Sequence, residues 1–145
     1  MRPGPLKDAA ALIDRRLSGA THRSLVHGDA KAANFCFGRK GAVAAVDFQY
    51  VGGGCGMKDV AYLLSCLPSR DCDRHAESHL DHYFQRLRSV LAETDVDGDA
   101  VEAEWRALYP FAWADFERFL AGWAPSHAMQ NPHSRAMTQR ALAAC

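Results

Sequence analysis

The sequence lacks any excess of charge of one sign: 17 Lys and Arg residues balance 17 Asp and Glu across 145 positions. Without a net field there is no electrostatic case for a nucleic-acid partner or an anionic membrane surface. No apolar run approaches the roughly 18 residues that suggest a membrane span. The opening Met1-Arg2-Pro3-Gly4-Pro5 leads into a charged helical pattern instead of a signal peptide, so a cytoplasmic chain is expected. The five cysteines, Cys36, Cys55, Cys66, Cys72 and Cys145, are odd in number and form no C-x-x-C pair. That argues against a disulfide framework and a zinc knuckle. Repeats, low-complexity tracts and strong linkers are also missing. What is present is 48% apolar and 23% charged residues, an ordinary globular balance in a length suited to one domain.

Leu6, Ala9, Ala10, Ile13 and Leu17 recur at helical spacing and predict a helix from Pro5 to Leu17, ended by Ser18-Gly19. Between Ser24 and Asp47, short apolar pieces broken by Gly28, Gly38 and Gly41 read as short strands around a loop. Gly38-Arg39-Lys40-Gly41 reads as a four-residue hairpin connection. With Phe37 and Ala42 closing it, Asn34 would lie opposite Ala45 and Asp47 opposite Ala32. Asn34 and Asp47 would then share one face as diagonal neighbours about 7–8 Å apart, a gap that an ion bridges. The glycines of Gly52-Gly53-Gly54-Cys55-Gly56 read as a flexible loop. Helices are predicted over Met57 to Leu67, Asp73 to Glu93, Asp99 to Trp123 with Asp99 as its N-cap, and Pro132 to Ala144. The fold class is α+β, mainly α, with a short β ribbon near the start. The chain reads as one unit: a leading helix and turn (1–23), a loop-and-ribbon segment (24–62) and a helical remainder (63–145).

The chemistry concentrates in His27-Gly28-Asp29-Ala30-Lys31-Ala32-Ala33-Asn34, an H-x-D-x-x-x-x-N pattern, with Asp47-Phe48-Gln49 following at the end of an apolar strand. Phosphoryl transfer from a nucleotide needs a carboxylate near the acceptor hydroxyl, oxygen ligands for magnesium and cationic help at the γ-phosphate. Asp29, the pair Asn34 and Asp47, and Lys31 suit those tasks in that order. One amide oxygen and one carboxylate, completed by phosphate and water, suffice for Mg²⁺. His27 suits a structural ring that holds the loop by hydrogen bonds.

At these residues the chain resembles the carboxy-terminal lobe of the aminoglycoside phosphotransferase and choline kinase group, relatives of the protein kinases. Val26-His27-Gly28-Asp29 and Val46-Asp47-Phe48-Gln49 are particularly similar to its ecdysteroid kinase-like branch. The resemblance implies a catalytic base at Asp29, magnesium ligands at Asn34 and Asp47, and ATP, or alternatively GTP, as phosphoryl donor to a small-molecule hydroxyl. It further implies that Asp59, in Lys58-Asp59-Val60-Ala61-Tyr62, braces the catalytic loop through backbone hydrogen bonds. Lys31 departs from the family's commonest residue and agrees with the protein-kinase pattern. The late helices would carry the acceptor side, with Trp105, Trp113 and Asp115 as candidate acceptor-binding residues.

Such enzymes also carry an amino-terminal lobe that grips the nucleotide, whereas only 24 residues precede Leu25, and they read as one helix and its turn. Gly52 to Gly56 lacks the G-x-x-x-x-G-K-[ST] spacing of a phosphate-cradling loop. A truncated, half-length or degenerate member is therefore expected, with weak or no turnover alone, and with a second copy or partner chain covering the face where that lobe would sit. The reading from another class is a non-catalytic kinase-like docking module. A hydrolase using Asp29 and His27 lacks a paired nucleophile. His75, His79 and His82 share a helical face but read as a solvated one, and Asp95 to Asp99 reads as a turn and helix cap in preference to a calcium loop, because position twelve is Arg106.

Overall fold

The computed structural model describes residues 4–127 and 131–145. Helices dominate: α1 (Pro5–Asp8), α2 (Ala10–Ser18), α3 (Met57–Ser65), α4 (Ser69–Leu91), α5 (Gly98–Trp123) and α6 (Pro132–Ala143). Two antiparallel ribbons lie between α2 and α3, formed by β1 (Ser24–Val26) with β4 (Gly52–Gly54) and β2 (Phe35–Phe37) with β3 (Val43–Ala45). The architecture is thus α+β and mainly α. None of the helices among the described residues is long and apolar enough to cross a membrane.

The core forms around α5, which packs on α2, α3, α4 and α6. Its first turns bury Val101 and Trp105 on one face, and from Leu108 to Ala114 every residue is buried, so the middle of the helix is enclosed on all sides. Phe84 from α4, Ile13 from α2 and Met57 from α3 are among the large side chains fully buried against it. Each such large side chain contributes about 1.5–3 kcal/mol by leaving water. Gly56 permits the tight entry into α3, because a Cβ there would come within 2.6 Å of both the Trp105 ring and the Tyr83 hydroxyl.

Four local expectations are corrected. The predicted Pro5–Leu17 helix divides at Ala9, since α1 buries no residue and only α2 is anchored, through Ile13 and Leu17. The N-cap of α5 is Asp97 instead of Asp99: its carboxylate accepts the N–H groups of Asp99 and Ala100 at 3.0 and 3.1 Å. The glycine run is not a loop, because Gly52, Gly53 and Gly54 pair with Val26, Leu25 and Ser24. A partner strand satisfies their backbone despite poor intrinsic strand preference. The hairpin connection has three residues, not four. Gly38 N–H donates to Ala42 O at 2.8 Å, and Lys40 and Gly41 both take positive φ, 60° and 77°, to make the turn.

A polar tie fixes where the chain enters β1. Glu104 on α5 accepts from the Thr21 and His22 N–H groups at 2.7 and 2.9 Å and lies 2.6 Å from His22 Nδ1. The neighbouring Trp105 indole donates to His22 O at 3.0 Å. Burial pushes the Glu104 carboxyl up, but the donors from His22 and Thr21 outweigh it and hold it below the ordinary value. A lowered carboxyl stabilises the fold above the ordinary glutamate range and loses that contribution as pH falls through the lowered value. The stability gap between the chain and Glu104→Gln, measured by urea unfolding at a series of pH values, should therefore be full near neutrality and shrink below about pH 4. A gap that persists unchanged into stronger acid would show that ionisation of Glu104 contributes nothing.

Candidate active site

The site is a loop held from three sides. Between β1 and β2 the chain passes through Gly28 at φ +81°, a left-handed turn where a Cβ would lie 2.3 Å from Tyr50 O. Asp59, in the first turn of α3, accepts the His27 N–H at 2.6 Å and the Gly28 N–H at 3.0 Å. Two donors that face away from any strand are thereby satisfied by one carboxylate. The His27 ring, packed between Phe35 and Phe48, accepts the Asp29 N–H at Nδ1 (3.3 Å) and reaches Val46 O from Nε2 (2.8 Å). Those two partners require the neutral tautomer with its proton on Nε2. His27 thus connects the loop to the end of the β2–β3 ribbon.

Asp29 is 6% exposed. Its Oδ2 accepts from Lys31 Nζ at 2.7 Å and from Asn34 Nδ2 at 3.0 Å. Burial pushes the carboxyl up, but the hydrogen bonds from Lys31 and Asn34, with the Tyr62 phenol nearby, outweigh it, so it sits below its ordinary value. In return, the hydrogen bond to Asp29 raises the Lys31 ammonium, with a smaller push from the charge of Asp47. Burial and the neighbouring Asp29 charge together push the Tyr62 phenol up to about 12.

The hairpin register differs from the sequence-based expectation. Phe35 pairs with Ala45, so Asn34 lies opposite Val46, not Ala45, and Val46 N–H donates to Asn34 O at 2.9 Å. The one-residue change follows from the shorter turn, and the shared-face reasoning for Asn34 and Asp47 no longer applies. A different device sets them at the same end of the ribbon. Asn34 closes a short 3-10 turn (Ala32–Asn34), and Asp47 leaves β3 in the left-handed region at φ 64°. That conformation is uncommon outside glycine and is found most often where surrounding structure imposes it.

A test of fit for a divalent cation rests on the orientation of the Asn34 amide. Its Nδ2 is committed to Asp29 O (2.9 Å) and Oδ2. The Oδ1 end is therefore the one left to accept, and the exposed Asp47 carboxylate supplies a second hard oxygen. The pair fits Mg²⁺, which takes few protein ligands and retains phosphate oxygens and water. Among the described residues no group of three or more His, Cys, Asp or Glu side chains gathers as a metal cluster.

A cavity of about 560 Å³ opens beside Asp29, walled by Tyr62 and Lys58 from α3 and by Asp115, Phe116 and Arg118 from α5. Asp115 is paired to Arg118 at 2.7 Å and to Lys58 at 3.5 Å. Trp105 and Trp113 stand elsewhere. Trp105, 2% exposed, packs against Tyr83 in the core, whereas Trp113, fully buried, backs a neighbouring cavity of about 510 Å³ together with Phe116. Of the three acceptor-side candidates, only Asp115 shares the cavity with Asp29. Sequence reasoning gave Tyr62 no role. Its spacing of three from Asp59, which sets both on one helical face, was the available signal.

The family model described as "phosphotransferase enzyme family" matches residues 2–95, a span that holds Asp29, Asn34, Asp47 and Asp59. No curated protein and no solved structure matches the chain.

Proposed function

The chain belongs to the phosphotransferase enzyme family, and from that premise we propose that it moves the γ-phosphoryl group of ATP to the hydroxyl of a small acceptor in a magnesium-dependent, cytoplasmic reaction. The observation that carries this reading is the Asp29 carboxylate, fixed by Lys31 and Asn34 at the wall of the cavity. Asp29 faces the acceptor hydroxyl and takes its proton. A carboxylate held below its ordinary value is a weak base, so it accepts that proton late, as the bond to phosphorus forms. Catalysis by a loose phosphoryl transition state depends mainly on positioning and charge, which is what the hydrogen bonds to Asp29 provide. Asn34 and Asp47 would hold the magnesium ion, which, when bound, neutralises charge on the transferring phosphates. Lys31, fixed against Asp29, keeps a cation at the same place. Asp115, Phe116 and Arg118 form the wall against which the acceptor packs.

A second reading, a docking module with little activity of its own, is favoured by a separate surface. Leu25, Phe37, Phe48 and Val51 are exposed around the ribbons, Leu25 to 77% and Phe37 to 74%. Clustered apolar surface of this kind is a site of association, and a second copy or a partner chain would cover it. The isolated chain would then turn over more slowly than the usual kinase range of about 1–100 s⁻¹.

Calorimetric titration with ATP separates the two readings. Binding should require Mg²⁺ and should be lost in Asp47→Ala while the helical circular dichroism is retained. Binding that ignores magnesium, or that survives intact in Asp47→Ala, would remove the phosphotransfer reading and leave docking.

A further inference from the structure

The charged groups around the cavity beside Asp29 are unequally satisfied. Its three carboxylates all have donors: Asp29 accepts from Lys31 and Asn34, Asp59 from the His27 and Gly28 N–H groups, and Asp115 from Arg118. The two cations in the same wall, Lys58 and Arg118, are engaged far less completely. Arg118 turns Nε and one Nη onto a single oxygen, Asp115 Oδ1, at 3.2 and 2.7 Å, and its other Nη donates to no group among the described residues. Lys58 is looser still. Its ammonium stands 3.5 Å from Asp115 Oδ2, beyond ordinary hydrogen-bond length, and its side chain is 47% exposed. Because the two cations hold different oxygens of Asp115, they flank it, one from α3 and one from α5. The capacity left over on this wall is therefore N–H donor capacity. Next to it the wall is apolar, with Phe116 and Phe119 packed at a centroid distance of 6.5 Å.

We infer that the acceptor bears a carboxylate besides its reacting hydroxyl, and that Lys58 and Arg118 receive that carboxylate while the apolar body of the acceptor packs on Phe116 and Phe119. The inference rests on the proposed function, in which Asp29 is the base and this cavity holds the acceptor. A planar guanidinium matches a planar carboxylate, and an ammonium on a flexible stem moves readily from a loose pair to a closer one. Asp115 is the positioning residue: it keeps both cations at the wall and competes with the ligand for them. A cationic acceptor would meet two like charges there, with the one intervening carboxylate already shared between them.

A matched set of benzyl alcohols provides the test, since para-(hydroxymethyl)benzoate, the neutral para-(hydroxymethyl)benzamide and the cationic para-(aminomethyl)benzyl alcohol differ only in the group opposite the hydroxyl. Titrated into the full chain and followed by NMR, the benzoate should bind about tenfold or more tightly than the amide, with the amine weakest. Added salt should narrow the difference. Lys58→Met and Arg118→Gln, each checked for retained helical circular dichroism, should remove most of the benzoate's advantage and leave the amide unaffected. Asp115→Asn distinguishes ligand binding from a purely structural ion pair: by releasing both cations it should tighten the benzoate severalfold, where a structural role would weaken it. A benzoate that does not bind, that binds no better than the amide or the amine, or that is weakened by Asp115→Asn overturns the inference. These titrations contain no nucleotide, so they are independent of proton transfer at Asp29. If Asp29→Ala abolishes turnover of an alcohol while the benzoate fails to bind, the base assignment stands and the carboxylate is wrong. If the benzoate binds as expected but its phosphorylation is unchanged in Asp29→Ala, the base assignment fails and the carboxylate site stands.

Discussion

Asp29→Ala should lower kcat by at least about a hundredfold, measured with the nucleotide saturating and any covering partner supplied. The size follows from what is removed together: the group that takes the acceptor proton, and the acceptor on which Lys31 and Asn34 converge. Without the carboxylate, Lys31 is free to rotate away and the Asn34 amide keeps only Asp29 O as a partner. Nucleotide KM should change less than kcat, since Asn34 and Asp47 remain. Asp29→Asn provides the companion measurement, because it retains the volume and some hydrogen bonding but cannot accept the proton. If both variants keep the parent rate, the base lies elsewhere.

Gly28→Ala should be the most damaging single change to the loop itself. The residue sits at φ +81°, where a side chain is strained whatever the space, and here there is no space. The added carbon would stand 2.3 Å from Tyr50 O and 2.8 Å from Tyr50 Cβ. The obstruction includes backbone, so relief requires the chain near Tyr50 or the loop itself to move. Either movement strains the bonds from Asp59 to the His27 and Gly28 N–H groups, 2.6 and 3.0 Å long. Combined strain and lost hydrogen bonding should cost about 3 kcal/mol or more, with magnesium-dependent ATP binding lost alongside. Chemical denaturation of the variant checks the figure. A cost under about 0.5 kcal/mol would mean that the two segments separate freely.

Much of this was legible in the sequence for definite reasons. α4 shows most clearly in its periodicity, since Cys72, Ala76, Leu80 and Phe84 repeat at intervals of four along one buried face. The loop motif is legible because its residue types are unusual in combination, and the family match over residues 2–95 includes that part of the chain. Less legible were features decided by partners distant in sequence. β4 is three glycines, and only its pairing with Ser24–Val26 makes it a strand. The hairpin register turned on one residue of turn length, fixed by left-handed conformations at Lys40 and Gly41. Trp105 and Trp113 illustrate the same limit: aromatic crowding announces a packed region, but which rings face a cavity depends on how helices rotate against one another.

The pairing of β1 with β4 has a topological consequence. Residues 27 to 51 leave the helical body and return to it at neighbouring points, so every group assigned to the magnesium ion and the acceptor proton, apart from those on α3 and α5, sits on a closed excursion. Its crossing is a three-rung ladder, with Asp59 bonded just inside. An excursion tethered in this way can lengthen, shorten or change its tip at Arg39–Gly41 without altering how α2, α3 and α5 meet. Variation in nucleotide handling is thereby uncoupled from the packing that keeps the molecule folded.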